Sequence, residues 1–254
     1  MSVFKLYFSP TGGTKKVADR IGDAWEEGVQ SIDLFAWEQN REGTAFSPQD
    51  VCLIAVPAFG GRVPALALEC LKTMQGNGAR AVLIAVYGNR DFDDTLLELQ
   101  NAAESCGFTC TAAVAAVAEH SIFRQFGAGR PDVQDNLQLS AFGKELKARL
   151  EQDDCASTLF VPGKTPYREY HGVPLKPKAD KSCTACELCV KQCPVQAIPA
   201  DAPRTVNEKI CISCMHCVAI CPQKARKNAK MLMMVGAKKI GQACAERKEN
   251  QLFL

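Results

Sequence analysis

The sequence predicts an α/β protein: a doubly wound, five-stranded parallel sheet over residues 1–152, then a small α+β module at 181–228. Three observations predict it. Short β-rich apolar runs alternate with helical patterns as far as Leu150, the sign of strands joined by crossover helices. From Cys183 to Pro222 the spacing C-x2-C-x2-C-x3-C-P is written twice, each cysteine recurring 28 residues later. Between the two regions, at 153–180, periodicity vanishes and Pro162, Gly163, Pro166, Gly172, Pro174 and Pro177 accumulate, as in an extended connector.

Val3 to Phe8 is the first expected strand. Thr14 to Trp25 is a helix with Val17, Ala18, Ile21 and Trp25 on one face and Gly28 past its end. Ser31 to Phe35 follows as a strand. Val51 to Val56 and Ala79 to Val86 are continuous apolar runs, as strands covered on both faces require. Between them Pro64 opens a helix to about Met74. Asp93 is the expected cap of a helix from Asp94 to Cys106, with Leu96, Leu99, Ala103 and Cys106 facing inward. Phe108 to Val117 is the fifth strand, and Asp132 to Leu150 closes the domain with Leu139, Phe142, Leu146 and Leu150 in phase. In the connector, Leu159, Phe160, Val161, Tyr167 and Tyr170 are apolar enough to strap the two regions together. After it, 229–254 reads as a helix and tail, with Ala229 to Glu246 helical; its methionine-rich face reads as docked core.

Ligands of such sheets bind beyond the carboxyl ends of the strands, at the switch point. Three loops leave those ends. Ser9, Pro10, Thr11, Gly12, Gly13, Thr14 and Lys15 bring hydroxyls and glycine amides to a helix start, which suits an anion. A turn of this kind is also an ordinary helix cap. It lacks the G-x4-G-K-[ST] phosphate loop, which disfavours a nucleoside triphosphate. Pro57, Ala58, Phe59, Gly60 and Gly61, then Tyr87, Gly88, Asn89 and Phe92, place glycine beside aromatic residues that could cover a flat ring. Taken singly, Phe59, Tyr87 and Phe92 are each more often core than ring contacts. His120 follows the fifth strand and reads as a satisfied loop histidine before a proton donor, while Arg62 faces either a ring or solvent.

Eight cysteines of the fourteen lie in the two runs. Zinc modules separate two C-x2-C pairs, whereas here three cysteines follow in tight succession and a fourth precedes proline. Disulfides fit poorly with a start, Met1 to Phe8, that has no basic region followed by a long apolar one. A reducing, cytoplasmic setting is the expectation. The remaining cysteines, Cys52, Cys70, Cys106, Cys110, Cys155 and Cys244, are scattered and act mostly as small hydrophobes.

The doubled run resembles the bacterial two-cluster ferredoxins, in which thiolates hold two [4Fe-4S] clusters and the fourth cysteine of each run crosses to the other cluster. That resemblance implies one set of Cys183, Cys186, Cys189 and Cys221, and a second of Cys211, Cys214, Cys217 and Cys193. Ser9-x-Thr11-Gly12-x-Thr14 after Leu6-Tyr7-Phe8 is similar to the FMN phosphate loop of flavodoxins, and the two later loops resemble the pair that brackets their flavin. Lys5 departs from that family, which usually has an aliphatic residue there. The whole chain resembles the fused flavodoxin–ferredoxin proteins of anaerobic bacteria. The resemblance implies an FMN and two clusters exchanging electrons with a low-potential redox protein, with no residue acting as catalytic acid or base. Two rivals stay open: a flavin reductase fed by reduced ferredoxin and acting on a small organic substrate, and a cluster-based sensor or assembly factor. NAD(P)H use is disfavoured because no G-x-G-x-x-G follows a strand.

With 47% hydrophobic and 23% charged residues, the composition is that of a globular protein. No apolar run approaches the ~20 residues of a membrane span. Net charge is only +2, but Lys224, Arg226, Lys227, Lys230, Lys238, Lys239, Arg247 and Lys248 make the C-terminal segment basic. Without a recognition motif this reads as a solvated helix face, not a nucleic-acid surface.

Overall fold

The computed structural model describes residues 2–26, 28–36, 44–152 and 158–254. Cys155 and the first residues of the expected connector lie outside them. The chain runs β1 (Val3–Tyr7), α1 (Gly13–Gly22), β2 (Val29–Asp33), β3 (Val51–Pro57), α2 (Ala65–Leu71), β4 (Arg80–Tyr87), α3 (Thr95–Ser105), β5 (Thr109–Val117) and α4 (Val133–Glu151). The cysteine module follows with β6 (Lys178–Ala179), α5 (Leu188–Lys191), α6 (His216–Ala219) and β7 (Arg226–Lys227). Last come α7 (Lys230–Gly241) and β8 (Gln251–Phe253).

The first five strands are parallel in the order β2-β1-β3-β4-β5, the doubly wound order whose switch point lies between β1 and β3. Crossover helices cover both faces, which is why β3 and, beyond Arg80, β4 are apolar. Leu6, Ile54 and Leu83 point to the layer of α2 and α3, whereas Leu53, Ile84 and Val114 point to the layer of α1 and α4. All six are fully buried, each contributing about 1.5–3 kcal/mol by leaving water. Lys5 stays in β1 because its ammonium reaches Asp19 on α1. Helix α4 begins with a reciprocal cap: Asp132 accepts from the Asp135 N–H, and Asp135 from the Asp132 N–H.

Three expectations are corrected. The sheet has a sixth strand, since β8 pairs antiparallel with β5 through Ala113↔Phe253, Val114↔Leu252 and Ala115↔Gln251. The chain end therefore seals the open edge of β5. Asp93 does not cap α3; Asp94 holds the N-cap position, yet its carboxylate accepts from Lys164 N (2.8 Å) and Arg168 N (2.7 Å) of the connector. Asp93 instead pairs with Arg90 and Arg168. The connector is thus a strap across α3 held by polar bonds; of the apolar residues expected to pack, Leu159 is buried while Phe160 is 84% exposed. Finally, α7 is not docked core: none of its residues is buried, and Met231 and Met234 are 77% and 74% exposed. Only its inner side touches the body, where Gly236 lies against the Phe123 ring.

Candidate cofactor site

The duplication is written into the backbone as well as the cysteines. Ala185 and Ser213, Glu187 and Met215, and Gln196 and Lys224 pair off at the same step, and all six take positive φ between 50° and 62°. Non-glycine residues adopt that conformation at a cost, which is met where a site requires it. These bends wrap the two runs around two separate cavities. One is lined by Cys183, Cys186, Cys189 and Cys221. The other is lined by Cys211, Cys214, Cys217 and Cys193. Each draws three cysteines from one run and the fourth from the other. Among the described residues no three His, Cys, Asp or Glu side chains form a group that could hold a metal ion.

The fourth cysteine of each run accepts an N–H bond on its sulfur, Ala197 N to Cys193 Sγ (3.2 Å) and Ala225 N to Cys221 Sγ (3.3 Å). Burial works against ionising Cys221, but the N–H groups of Arg226, Ala225 and Gln223 and the Arg226 charge outweigh it and hold its pKa below the usual thiol value. At Cys214 the His216 N–H and at Cys217 the Arg226 charge act in the same sense, but burial outweighs them and pushes both thiols up to about 12. Metal coordination would deprotonate such thiols outright.

Arg226, which the sequence places only within a basic tail, is buried in the wall of the first cavity. It is 1% exposed, lines the first cavity, and donates to the carbonyls of Pro177 (2.9 Å), Thr205 (3.1 Å) and Pro203. Its Nε is buried without a hydrogen-bond partner. The signal was present: at the step of the duplication Arg226 stands opposite Ile198, so an apolar position has become a cation.

At the carboxyl edge of the sheet, Gly12 takes φ 88° and opens α1 without a side-chain cap. The N–H groups of Gly13 and Thr14 start that helix and have no acceptor within it. The Ser9 hydroxyl accepts from Lys15 N (2.9 Å), while Lys15 Nζ pairs with Asp19 (2.6 Å). Thr14 is buried. Phe59 to Arg62 close a tight turn with Gly60 and Gly61 at φ 62° and 85°, and a side chain at Gly60 would strike the Tyr170 ring within 2.3 Å. The strap therefore lies directly on this turn.

The third loop departs from expectation. Tyr87 and Phe92 are buried in the core with ring centroids 5.5 Å apart, and so are not free to cover a ligand. Asn89 is 4% exposed, and its amide is spent on the C-terminal tail. It donates to Cys244 O and Glu246 O (2.9 Å each) and accepts from Lys248 N (3.1 Å). Only the backbone of Gly88 and its neighbours remains for a cofactor. His120 is an organiser of its own loop: its Nδ1 accepts from Ile122 N and Phe123 N. Burial, helped by the Arg90 charge, lowers its pKa to about 4, so it is neutral near pH 7. Arg62 turns to α3 and the connector. It grips Glu98 with Nε (2.8 Å) and Nη2 (2.6 Å), donates to Arg168 O, and lies 4.8 Å from the Tyr167 ring.

The cysteine module docks on this same edge. His216 Nδ1 lies 2.7 Å from Pro10 O in the first loop, and its ring is 4.5 Å from Phe35. Residues 182–226 match a protein-family model described as a 4Fe-4S dicluster domain. The chain thus joins a sheet of the doubly wound order β2-β1-β3-β4-β5 to a segment that matches that model. Its N-terminal part is similar to the Streptococcus pneumonia TIGR4 flavodoxin (18% identity, TM-score 0.41, 59% of this chain and 99% of that one). It is also similar to a Fusobacterium nucleatum flavodoxin solved with flavin mononucleotide (11%, 0.41, 58% and 98%). A further likeness is to the Flv1 flavodiiron core of Synechocystis sp. PCC6803 (17%, 0.42, 60% and 36%). No curated protein matches the sequence. Among the described residues no helix is long and apolar enough to cross a membrane.

Proposed function

We propose that the protein passes electrons between two [4Fe-4S] clusters and an FMN, coupling one- and two-electron steps for a low-potential redox protein in the reducing cytoplasm of an anaerobe. The observation that carries the reading is the docking of the cysteine module on the ligand edge of the sheet, with His216 against the Ser9–Lys15 loop. In this reading Cys183, Cys186, Cys189 and Cys221 ligate one cluster, and Cys211, Cys214, Cys217 and Cys193 the other; their grouping around two cavities fits that donor set. Bound clusters supply one-electron couples and bound FMN a two-electron, two-proton couple.

The chain's own residues bind and orient. The open N–H groups at the start of α1 and the hydroxyls of Thr11 and Thr14 hold the FMN phosphate, aided by the helix dipole. Backbone at Pro57, Ala58, Gly60, Gly61 and Gly88 borders the ring. Ala197 N–H and Ala225 N–H offset charge on the ligand sulfurs, one of the means by which a protein sets a cluster's potential. No side chain at the sheet edge is assigned acid–base work, in keeping with a neutral, internally bonded His120.

Anaerobic purification with cofactor counting tests the reading. About eight iron, about eight sulfide and roughly one FMN per chain are expected. Stoichiometric zinc, about four iron, or equal affinity for riboflavin and FMN would count against it.

A further inference from the structure

We propose that the cavity of Cys193, Cys211, Cys214 and Cys217 is the proximal redox centre of the N-terminal domain, seated there by His216, and that the cavity of Cys183, Cys186, Cys189 and Cys221 is the distal, partner-facing centre. The inference rests on the electron-transfer reading above and adds the order of its parts.

The two cavities are built from duplicated runs, yet their surroundings differ. Every residue lining the first belongs to the cysteine module, between Ala179 and Arg226, and Cys186 in it is exposed. The second includes His216 in its wall. That imidazole spans the junction: Nδ1 donates to the Pro10 carbonyl (2.7 Å), while Nε2 lies 3.1 Å from Gln192 Oε1. Its ring lies against Phe35, which in turn packs on Phe8 of the sheet core at 5.3 Å. In sequence His216 stands between the ligand positions Cys214 and Cys217. One side chain therefore joins the second cavity to the loop assigned to the phosphate.

A separate contact agrees. A groove is lined by Phe59 of the Pro57–Gly61 loop and by Tyr170 together with Cys211 and Ile212, which also line the second cavity. An external one-electron donor of low potential would then meet the distal centre first. Each passage between the two cysteine-lined centres moves one electron with no bond made or broken; a two-electron reduction of bound FMN would need two such passages and two protons from solvent.

The test uses the full chain, anaerobic and cluster-loaded, with the potentials of both centres followed by paramagnetic resonance with and without FMN. Cys186→Ser and Cys214→Ser identify which signal belongs to which centre. Bound FMN places a phosphate anion beside the proximal centre. It should lower the potential of the signal altered by Cys214→Ser and leave the other unchanged. His216→Ala should abolish that shift at unchanged iron content, and His216→Gln, which keeps an N–H donor, should restore part of it. Amide exchange across Thr11–Lys15 should quicken several-fold in His216→Ala, with or without FMN. A shift confined to the signal altered by Cys186→Ser, or no shift although FMN is bound, overturns the order proposed here. Failure of the chain to bind FMN sinks the reading it rests on, and unchanged exchange at Thr11–Lys15 then separately overturns the seating by His216.

Discussion

Arg226 illustrates how much one residue can set. A buried guanidinium held by three carbonyls keeps its charge close to the first cavity and to the Cys221 sulfur. A nearby cation stabilises the more negative, reduced state of a cluster, since net charge and hydrogen bonding tune such potentials. Arg226→Ile installs the residue found at the matching position of the first run, Ile198. Iron content should persist while one of the two centres titrates at lower potential, and the module should lose about 1–3 kcal/mol as carbonyls lose their donors. A potentiometric titration checks this; two unchanged centres would refute it. At the same scale the cysteine ligand types were legible in the sequence, because their spacing is local. The fates of Asn89, Tyr87 and Phe92 were not. Whether a loop aromatic turns to a ligand or to the core depends on neighbours far along the chain, here Cys244 to Lys248.

Among the elements, α4 and α7 make a useful contrast. Helix α4 packs so closely on α1 that a side-chain carbon added at Gly143 would come within 2.4 Å of Ile21 O. Gly143→Ala should therefore destabilise the protein by about 1–3 kcal/mol despite the better helix propensity of alanine. On α7, Met234→Ala should change stability by less than about 0.5 kcal/mol, because the side chain is 74% exposed. Denaturation midpoints of the two variants decide both points, and a large loss in Met234→Ala would restore α7 to the core. Periodicity located both helices to within a few residues, with ends at Glu151 and Gly241. It could not say that α7 would stay uncovered. An apolar stripe records that a helix can be buried, not that a partner surface is present.

For the whole molecule, the two halves are less separable than their order along the chain suggests. Buried Asp135 receives bonds from Arg130 Nε (2.8 Å), Arg247 (3.2 Å) and Asn250 (3.1 Å), two of them residues of the tail. Asn250 Oδ1 also accepts from Val117 N on β5, and β8 covers that strand's edge. Ending the chain at residue 152 strips these partners from Asp135 and Asn89 and bares a sheet edge. Leaving a buried group unsatisfied costs about 1–3 kcal/mol, so the shortened domain should lose several kcal/mol and associate through β5. Equal stability of residues 1–152 and the intact chain in denaturant would contradict this. By itself the sequence determined the five parallel strands with their crossover helices, the doubled cysteine module and the loops at the sheet edge. Each of these is encoded in short-range pattern: apolar runs, caps, and fixed spacing. Only the tertiary structure decided that the chain end returns as β8, that the strap lies on Gly60, and that the second cysteine cavity meets the sheet through His216. Those features are contacts between segments remote in sequence, chosen by which surfaces and polar groups the folded chain leaves uncovered, and no local pattern carries that information.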